Sequence, residues 1–239
     1  MLIQTLYKHR WFCGTFFLLY YAFLWPLLTL QKGFIVGDYG SQVYPWSWVY
    51  FQSLKANELP LWTPLIQCGF PLFAEGQTAM LYLLNLVFFK FFPFHVAYNA
   101  IFLIHFLMGG LFSYIFALKK GMSRPAAALT AVTFAFGSAY AGCFFNIVTM
   151  RSLVWFPLAL YAVDVLFEKR DWKILFFLAF ILSQSWLGGS PQVAAYLVFF
   201  CVLYFFLRLR EEKLAASGKR TARILFAVSL VLSSFIALP

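Results

Sequence analysis

Residues 11–30 read WFCGTFFLLYYAFLWPLLTL, twenty positions without a charge. A run of this length and apolarity matches the ~20 residues that a helix needs to cross a bilayer core. It is not read as a cleaved leader, because it stays apolar to Leu30 and lacks a small-residue cleavage site. Further runs follow at about 94–118, 125–143, 152–167, 173–188, 191–208 and 223–238. A shorter apolar run at 79–92, broken by Lys90 and Pro93, reads as a partial or interfacial helix. The composition agrees: 63% of residues are hydrophobic, 22% aromatic and only 11% charged, against about 25% charged in soluble domains. The expected fold is all-α, a polytopic transmembrane bundle of about seven spanning helices forming one domain over 1–239. Its long first extracytoplasmic loop, 31–93, holds short interfacial helices.

Charge sets the expected orientation. Fourteen of the eighteen basic residues fall in four connections: Lys8 and Arg10; Lys119, Lys120 and Arg124; Lys169, Arg170 and Lys173; and the run from Arg208 to Arg223. The other four, Lys32, Lys55, Lys90 and Arg151, occupy the alternate connections. The positive-inside rule then puts the amino terminus in the cytoplasm and 31–93, 144–151 and 188–191 outside. The net charge of +10 follows from that rule and from anionic membrane lipids. It does not point to nucleic acid, since no soluble basic domain presents it. The chain ends at Leu238-Pro239 in an apolar segment without a hydrophilic tail, which suggests the amino-terminal part of a longer protein.

Cys68 and Cys143 both fall on the outer side and can pair in an oxidising compartment. No spacing pattern supports a bridge over two unpaired thiols, and no CxxC or His/Cys cluster suggests structural zinc. No cofactor is expected.

Asp38 is the most informative single residue. It stands in Gly37-Asp38-Tyr39-Gly40, just beyond the first apolar run, in a chain where each charge needs a reason. One reading is a catalytic carboxylate; the other is a tight turn, which Asp beside Gly favours. Loop 31–93 is too long for a passive connection. Within it Pro45 starts a short helix that ends at Asn57 and Pro60, with Trp46, Tyr50 and Leu54 on one face. That helix is expected to lie along the interface, aromatic side down, as belt residues or as a platform for a sugar. Prolines and glycines then make 59–77 a turn-rich cap carrying Glu75 and Gln77. Glu75 either joins Asp38 in acid–base work or cation binding, or is a solvated loop residue.

Two outer helix starts carry phosphate-binding potential. Gly188-Gly189-Ser190-Pro191-Gln192 reads as a turn, a Ser cap and a first-turn Pro, which turns free amides and a positive dipole end outward. Arg151 precedes Ser152 at another such start and suits phosphate or headgroup recognition. Ordinary capping and lipid contact are the plainer alternatives. Asp164 is expected to pair structurally with Lys169 or Arg170, and His105 to hydrogen-bond between helices. His9 and His95 carry no specific signal.

The chain resembles the YfhO-type bacterial membrane proteins of the glycosyltransferase-C superfamily. The resemblance rests on Gly37-Asp38, Tyr44-Pro45, Leu59-Pro60-Leu61-Trp62-Thr63-Pro64, Gly69, Pro71-Leu72, Ala74, Gln77 and Asn85. Trp155-Phe156-Pro157-Leu158 and Gly189-Ser190-Pro191-Gln192 with Tyr196 extend it, over about 40–200. Thr63, Ser190 and Glu75-Gly76 stand where the family more often has Asn, His and Asp-Pro, and family members are several times longer. The resemblance implies an inverting transferase in the bacterial plasma membrane. Its donor would be a polyprenyl-phosphate sugar, and its acceptor an envelope polymer such as a teichoic acid. It implies Asp38 as general base, while Arg151, Ser190, Gln192, Glu75 and Gln77 are the candidates for substrate contacts. A lipid-linked sugar flippase, which places polar groups at mid-membrane, and a non-catalytic assembly factor are the competing readings.

Overall fold

The computed structural model describes residues 8–33, 38–66, 68–137, 142, 146–211 and 215–237. Ten α-helices are named here: α1 (Arg10–Leu28), α2 (Tyr44–Lys55), α3 (Leu83–Phe91), α4 (Phe94–Lys119) and α5 (Arg124–Phe136), followed by α6 (Ile147–Leu153), α7 (Phe156–Lys169), α8 (Trp172–Leu187), α9 (Pro191–Glu211) and α10 (Ala216–Ala237). No β-strand occurs among the described residues; Thr63 and Phe70 exchange two backbone hydrogen bonds, of 2.9 and 2.8 Å, that close the loop between them.

Five stretches have the length and apolarity to cross a membrane: α1, α4, α6 with α7 (Ile147–Lys169), α9 and α10. That is an α-helical membrane protein in broad outline. Of the seven expected spans, those at 125–143 and 173–188 are helices too short to stand among these five. Helix α5 has 13 residues and α8 has 16, about 20 and 24 Å of rise. The apolar run beyond α5 lies mostly outside the described residues. Helix α3 is the partial helix expected over 79–92, and begins only after Tyr82.

Packing is densest around α6 and α7, where 78% of the apolar window is buried. A second cluster joins α1, α4 and α5. Helix α5 contributes Ala127, Ala128, Ala131 and Ala135, and α1 contributes Phe12 and Phe16. Small side chains let helices approach closely where lipid offers no hydrophobic drive for association. Gly110 of α4 takes this furthest: a Cβ there would stand 2.0 Å from the Phe16 ring.

Side-chain bonds define the two ends of the bundle. At one end His9 meets Tyr114 at 2.7 Å, and Lys119 pairs with Glu168. Asp164 binds Lys120 (3.2 Å), Arg208 (2.8 Å) and the Tyr204 hydroxyl (2.8 Å). This corrects the expected pairing of Asp164 with Lys169 or Arg170. Asp164 is 2% exposed and faces the neighbouring helices, whereas Lys169 is exposed and Arg170 ends α7 with a positive φ. Four basic connections therefore gather at one end. At the other end lie the loop between α1 and α4, the start of α6 and the α8–α9 turn.

Helix α2 forms as expected, with Pro45 in its first turn. Its aromatic face does not lie on a membrane surface. Trp46 and Tyr50 are buried, Trp46 stacked on Phe70 at 5.7 Å and Tyr50 donating to the Met80 carbonyl at 2.6 Å. The proline-rich cap supplies the cover, so these rings are core. Trp48, outside that face, is the exposed indole of the helix.

Candidate functional site: a buried arginine under the proline-rich cap

Helix α6 places the central residue. Asn146 starts it by accepting from the Thr149 amide at 3.1 Å, and one turn later Arg151 and Ser152 point into the protein. Arg151 was expected at an interface, yet it is only 4% exposed. Its Nη2 donates to the Gln77 carbonyl at 2.7 Å. The phenols of Tyr82, Tyr39, Tyr98 and Tyr50 lie within electrostatic range of the guanidinium. Among the described residues no carboxylate pairs with it, and its Nε has no hydrogen-bond partner. A buried guanidinium held by neutral oxygens carries uncompensated positive charge. Burial pushes the hydroxyls of Tyr50 and Tyr82 above the usual phenol range, with the Arg151 charge pulling the other way. Both therefore stay protonated and neutral at physiological pH.

The α8–α9 turn locks this arrangement. Ser190 donates its amide to the Ser152 hydroxyl at 3.2 Å, and Ser185 donates to the Ser152 carbonyl at 2.9 Å. One of the amides expected to await a phosphate is thus already used. Gly189, with φ of +96°, sits so close to the cap that a Cβ would meet the Gly76 carbonyl oxygen at 2.7 Å. The Gln184 side chain accepts from the Leu83 amide at 3.1 Å, and Asn85 donates to the carbonyls of Thr78 and Ala79. Tyr82 meets His105 Nε2 at 2.7 Å, so this partner of the histidine, expected on another helix, is the residue that precedes α3.

The structure thus brings together Arg151, Gln77 and Ser190, though through the Gln77 and Ser190 backbones. Gln192 is exposed, and its amide donates to Tyr196 at 2.8 Å. Glu75 is half-buried and accepts from the Gln77 amide at 3.2 Å, capping the short turn Gly76–Thr78. It lines a cavity of about 150 Å³ with Trp186, Leu187 and Ala237. Asp38 is not among those walls. Asp38 is exposed and opens the helical turn Tyr39–Val43 that runs into α2; its carboxylate caps nothing. Its neighbour Tyr39 is buried against Phe102, ring centroids 5.5 Å apart. The exposed carboxylate and one of the phenols near Arg151 are therefore consecutive residues.

The sequence singles out Tyr50 only as part of an interfacial aromatic face and gives Tyr39, Tyr82 and Tyr98 no role, because a tyrosine among leucines and phenylalanines reads as apolar. It also gives His95 and Lys32 no role. With Tyr44, Tyr98, Asn99 and Gln31 they line a cavity of about 190 Å³ at this end, and Asn99 fixes its floor by donating to the Leu27 and Lys32 carbonyls. Among the described residues no three His, Cys, Asp or Glu side chains gather as metal ligands. The expected choice for Cys68 and Cys143 falls partly outside the described residues, since Cys143 is not among them; Cys68 is exposed. The chain matches no family model, no curated protein and no solved structure.

Proposed function

We propose that this protein is a membrane glycosyltransferase of the YfhO-like, glycosyltransferase-C type. In this reading it moves a sugar from a polyprenyl-phosphate carrier to an envelope polymer outside a bacterial plasma membrane. The observation that carries the reading is Arg151: a buried guanidinium with no carboxylate partner among the described residues, held by the Gln77 carbonyl and with four phenols within electrostatic range. Such a group is suited to an anion that arrives with the substrate. The basic connections lie at the opposite end, so positive-inside orientation puts the amino terminus in the cytoplasm and the Arg151 end outside. Short helices α5 and α8 complete seven crossings in this topology.

Transfer then runs as follows. The acceptor hydroxyl oxygen attacks the anomeric carbon, and the exposed Asp38 carboxylate takes the hydroxyl proton. The bond between the anomeric carbon and the phosphate oxygen breaks, and polyprenyl phosphate leaves with the electron pair and inversion at the sugar. The guanidinium of Arg151 offsets the charge developing on that phosphate once the Gly76–Thr78 turn shifts its Gln77 carbonyl aside. Membranes containing the full-length protein and a radiolabelled polyprenyl-phosphate sugar test the reading, with Asp38→Asn beside wild type. Label reaching an outer acceptor only with wild type supports the transferase. Equal transfer by both removes Asp38 from the mechanism. Absence of transfer, with lipid-linked sugar still crossing the membrane, selects the flippase.

A further inference from the structure

The opposite, basic end holds a second site that the transferase reading does not use. A groove of about 620 Å³ opens between the start of α1 and the α4–α5 connection, with Lys8, Arg10, Trp11, Leu118, Ser123 and Arg124 among its walls. Its lining has three cationic side chains and no carboxylate. Among the described residues Lys8 and Arg124 enter no ion pair. Their fields converge: burial holds His9 below the usual imidazole range, and Arg124 and then Lys8 add to the effect. Helix α5, capped by Ser123, also starts here and adds the positive end of its dipole.

Leu118 is shared with a second cavity of about 520 Å³, which runs down the α1/α4 surface along Phe12, Leu111, Ile115 and Tyr161. One side of the composite groove is cationic and the adjoining side mostly apolar, with His9 and the Glu168-paired Lys119 also among its walls. Trp11, 54% exposed beneath the Arg10 guanidinium at 5.9 Å, stands at the boundary, as an interfacial indole does. A soluble phosphate would use only the cationic half; an amphiphile with an anionic head uses both.

We propose that this groove binds one anionic phospholipid, its phosphate among Lys8, Arg10 and Arg124 and an acyl chain along Phe12, Leu111 and Ile115. The site is distinct from a diffuse attraction of basic loops to the membrane, because α1, α4 and α5 shape it. It does not depend on the proposed transfer reaction, and loss of either leaves the other standing.

The purified full-length protein in detergent, mixed with phosphatidylglycerol or phosphatidylcholine of identical chains, tests this by native mass spectrometry. Wild type retains phosphatidylglycerol in preference to phosphatidylcholine. The pair Lys8→Gln and Arg124→Gln weakens retention about 30-fold, from roughly 1 kcal/mol per cation near an anionic headgroup. Lys8→Arg with Arg124→Lys restores it, while Arg220→Gln with Arg223→Gln on exposed α10 positions leaves it unchanged. Equal retention of the two lipids, or equal loss in the α10 pair, overturns the proposal. Competition by glycerol phosphate as strong as by the lipid replaces it with a free-phosphate site. If the glutamine pair fails to fold, phosphatidylglycerol brominated on its chains decides the matter on folded protein. It should quench wild type more than Trp11→Phe, with matched brominated phosphatidylcholine giving no such difference; equal effects of the two lipids sink the site.

Discussion

Arg151 and Gln77, seventy-four positions apart, are joined by a 2.7 Å bond from guanidinium to backbone carbonyl. That bond ties α6 to the proline-rich cap, at the end of the bundle away from the basic connections, and leaves the arginine charge without a neutralising partner among the described residues. Arg151→Met removes a buried charge without leaving an opposite charge behind, and its cost is the hydrogen bond to the Gln77 carbonyl, about 1 kcal/mol. Arg151→Met should therefore leave the thermal unfolding midpoint in detergent within a few degrees. If the guanidinium stabilises a departing phosphate, transfer should fall by about 10²-fold or more, the usual loss for one preorganised donor. Normal transfer by a folded Arg151→Met protein would reduce the arginine to a tether for the cap.

Gly189 and Gly76 provide a paired test of how tightly the cap is seated. A Cβ at Gly189 meets backbone atoms of Gly76 and Gln77 at 2.7 and 3.0 Å, and its φ of +96° already disfavours an L side chain. Gly189→Ala should cost about 1–3 kcal/mol in detergent unfolding. A Cβ at Gly76 meets nothing within 4 Å, and Gly76→Ala should stay within about 0.5 kcal/mol of wild type. Similar behaviour of the two variants would mean that the turn and the cap are not in contact.

The long apolar helices were legible because length and hydropathy are properties of contiguous residues. Helix α2 was legible from Pro45 and the spacing of Trp46 and Tyr50, but the side it turns to protein was not. A membrane interface and a proline-rich cap both welcome aromatic rings, and only the three-dimensional path of 59–73 decides between them. Asp164 failed for a related reason. Its nearest bases in sequence, Lys169 and Arg170, are not its nearest in space, because partners arrive from α4 and α9 across helices whose relative rotation the sequence does not state. Arg151 was singled out as a lone charge, while its burial and its tyrosine ring depend on four separate segments meeting.

Gly110 bears on the close approach of α1 and α4. Phe16, fully buried, occupies the space where a side chain would stand, 2.0 Å from its ring. Gly110→Leu must push α1 outward and should destabilise the protein by about 1–3 kcal/mol. Gly14, on the same helix as Phe16 with nothing within 4 Å of its added Cβ, should accept Ala without loss. Detergent unfolding of both variants checks this, and a tolerated leucine at 110 would mean that α1 is not packed against α4 at that level.

The clasp around Asp164 joins three helices and has a defined pH signature. Asp164→Leu leaves the Lys120 and Arg208 cations side by side without their shared anion. Removing one member of a buried ion pair costs about 3–5 kcal/mol, and here about 2–3 is expected because solvent still reaches both cations. Lys120 itself lies above its ordinary value of 10.5: burial works against its charge, but hydrogen bonding to Tyr204 and the attraction of Asp164 outweigh burial. A raised lysine contributes stability that is fully present below the unfolded value and disappears as pH rises through the folded one. Wild type should therefore keep a constant margin over Lys120→Gln at neutral pH, and that margin should shrink above pH 10.5. Thermal unfolding of both proteins across the alkaline range gives the comparison; a margin that grows with pH would show that Lys120 is held against its charge rather than for it.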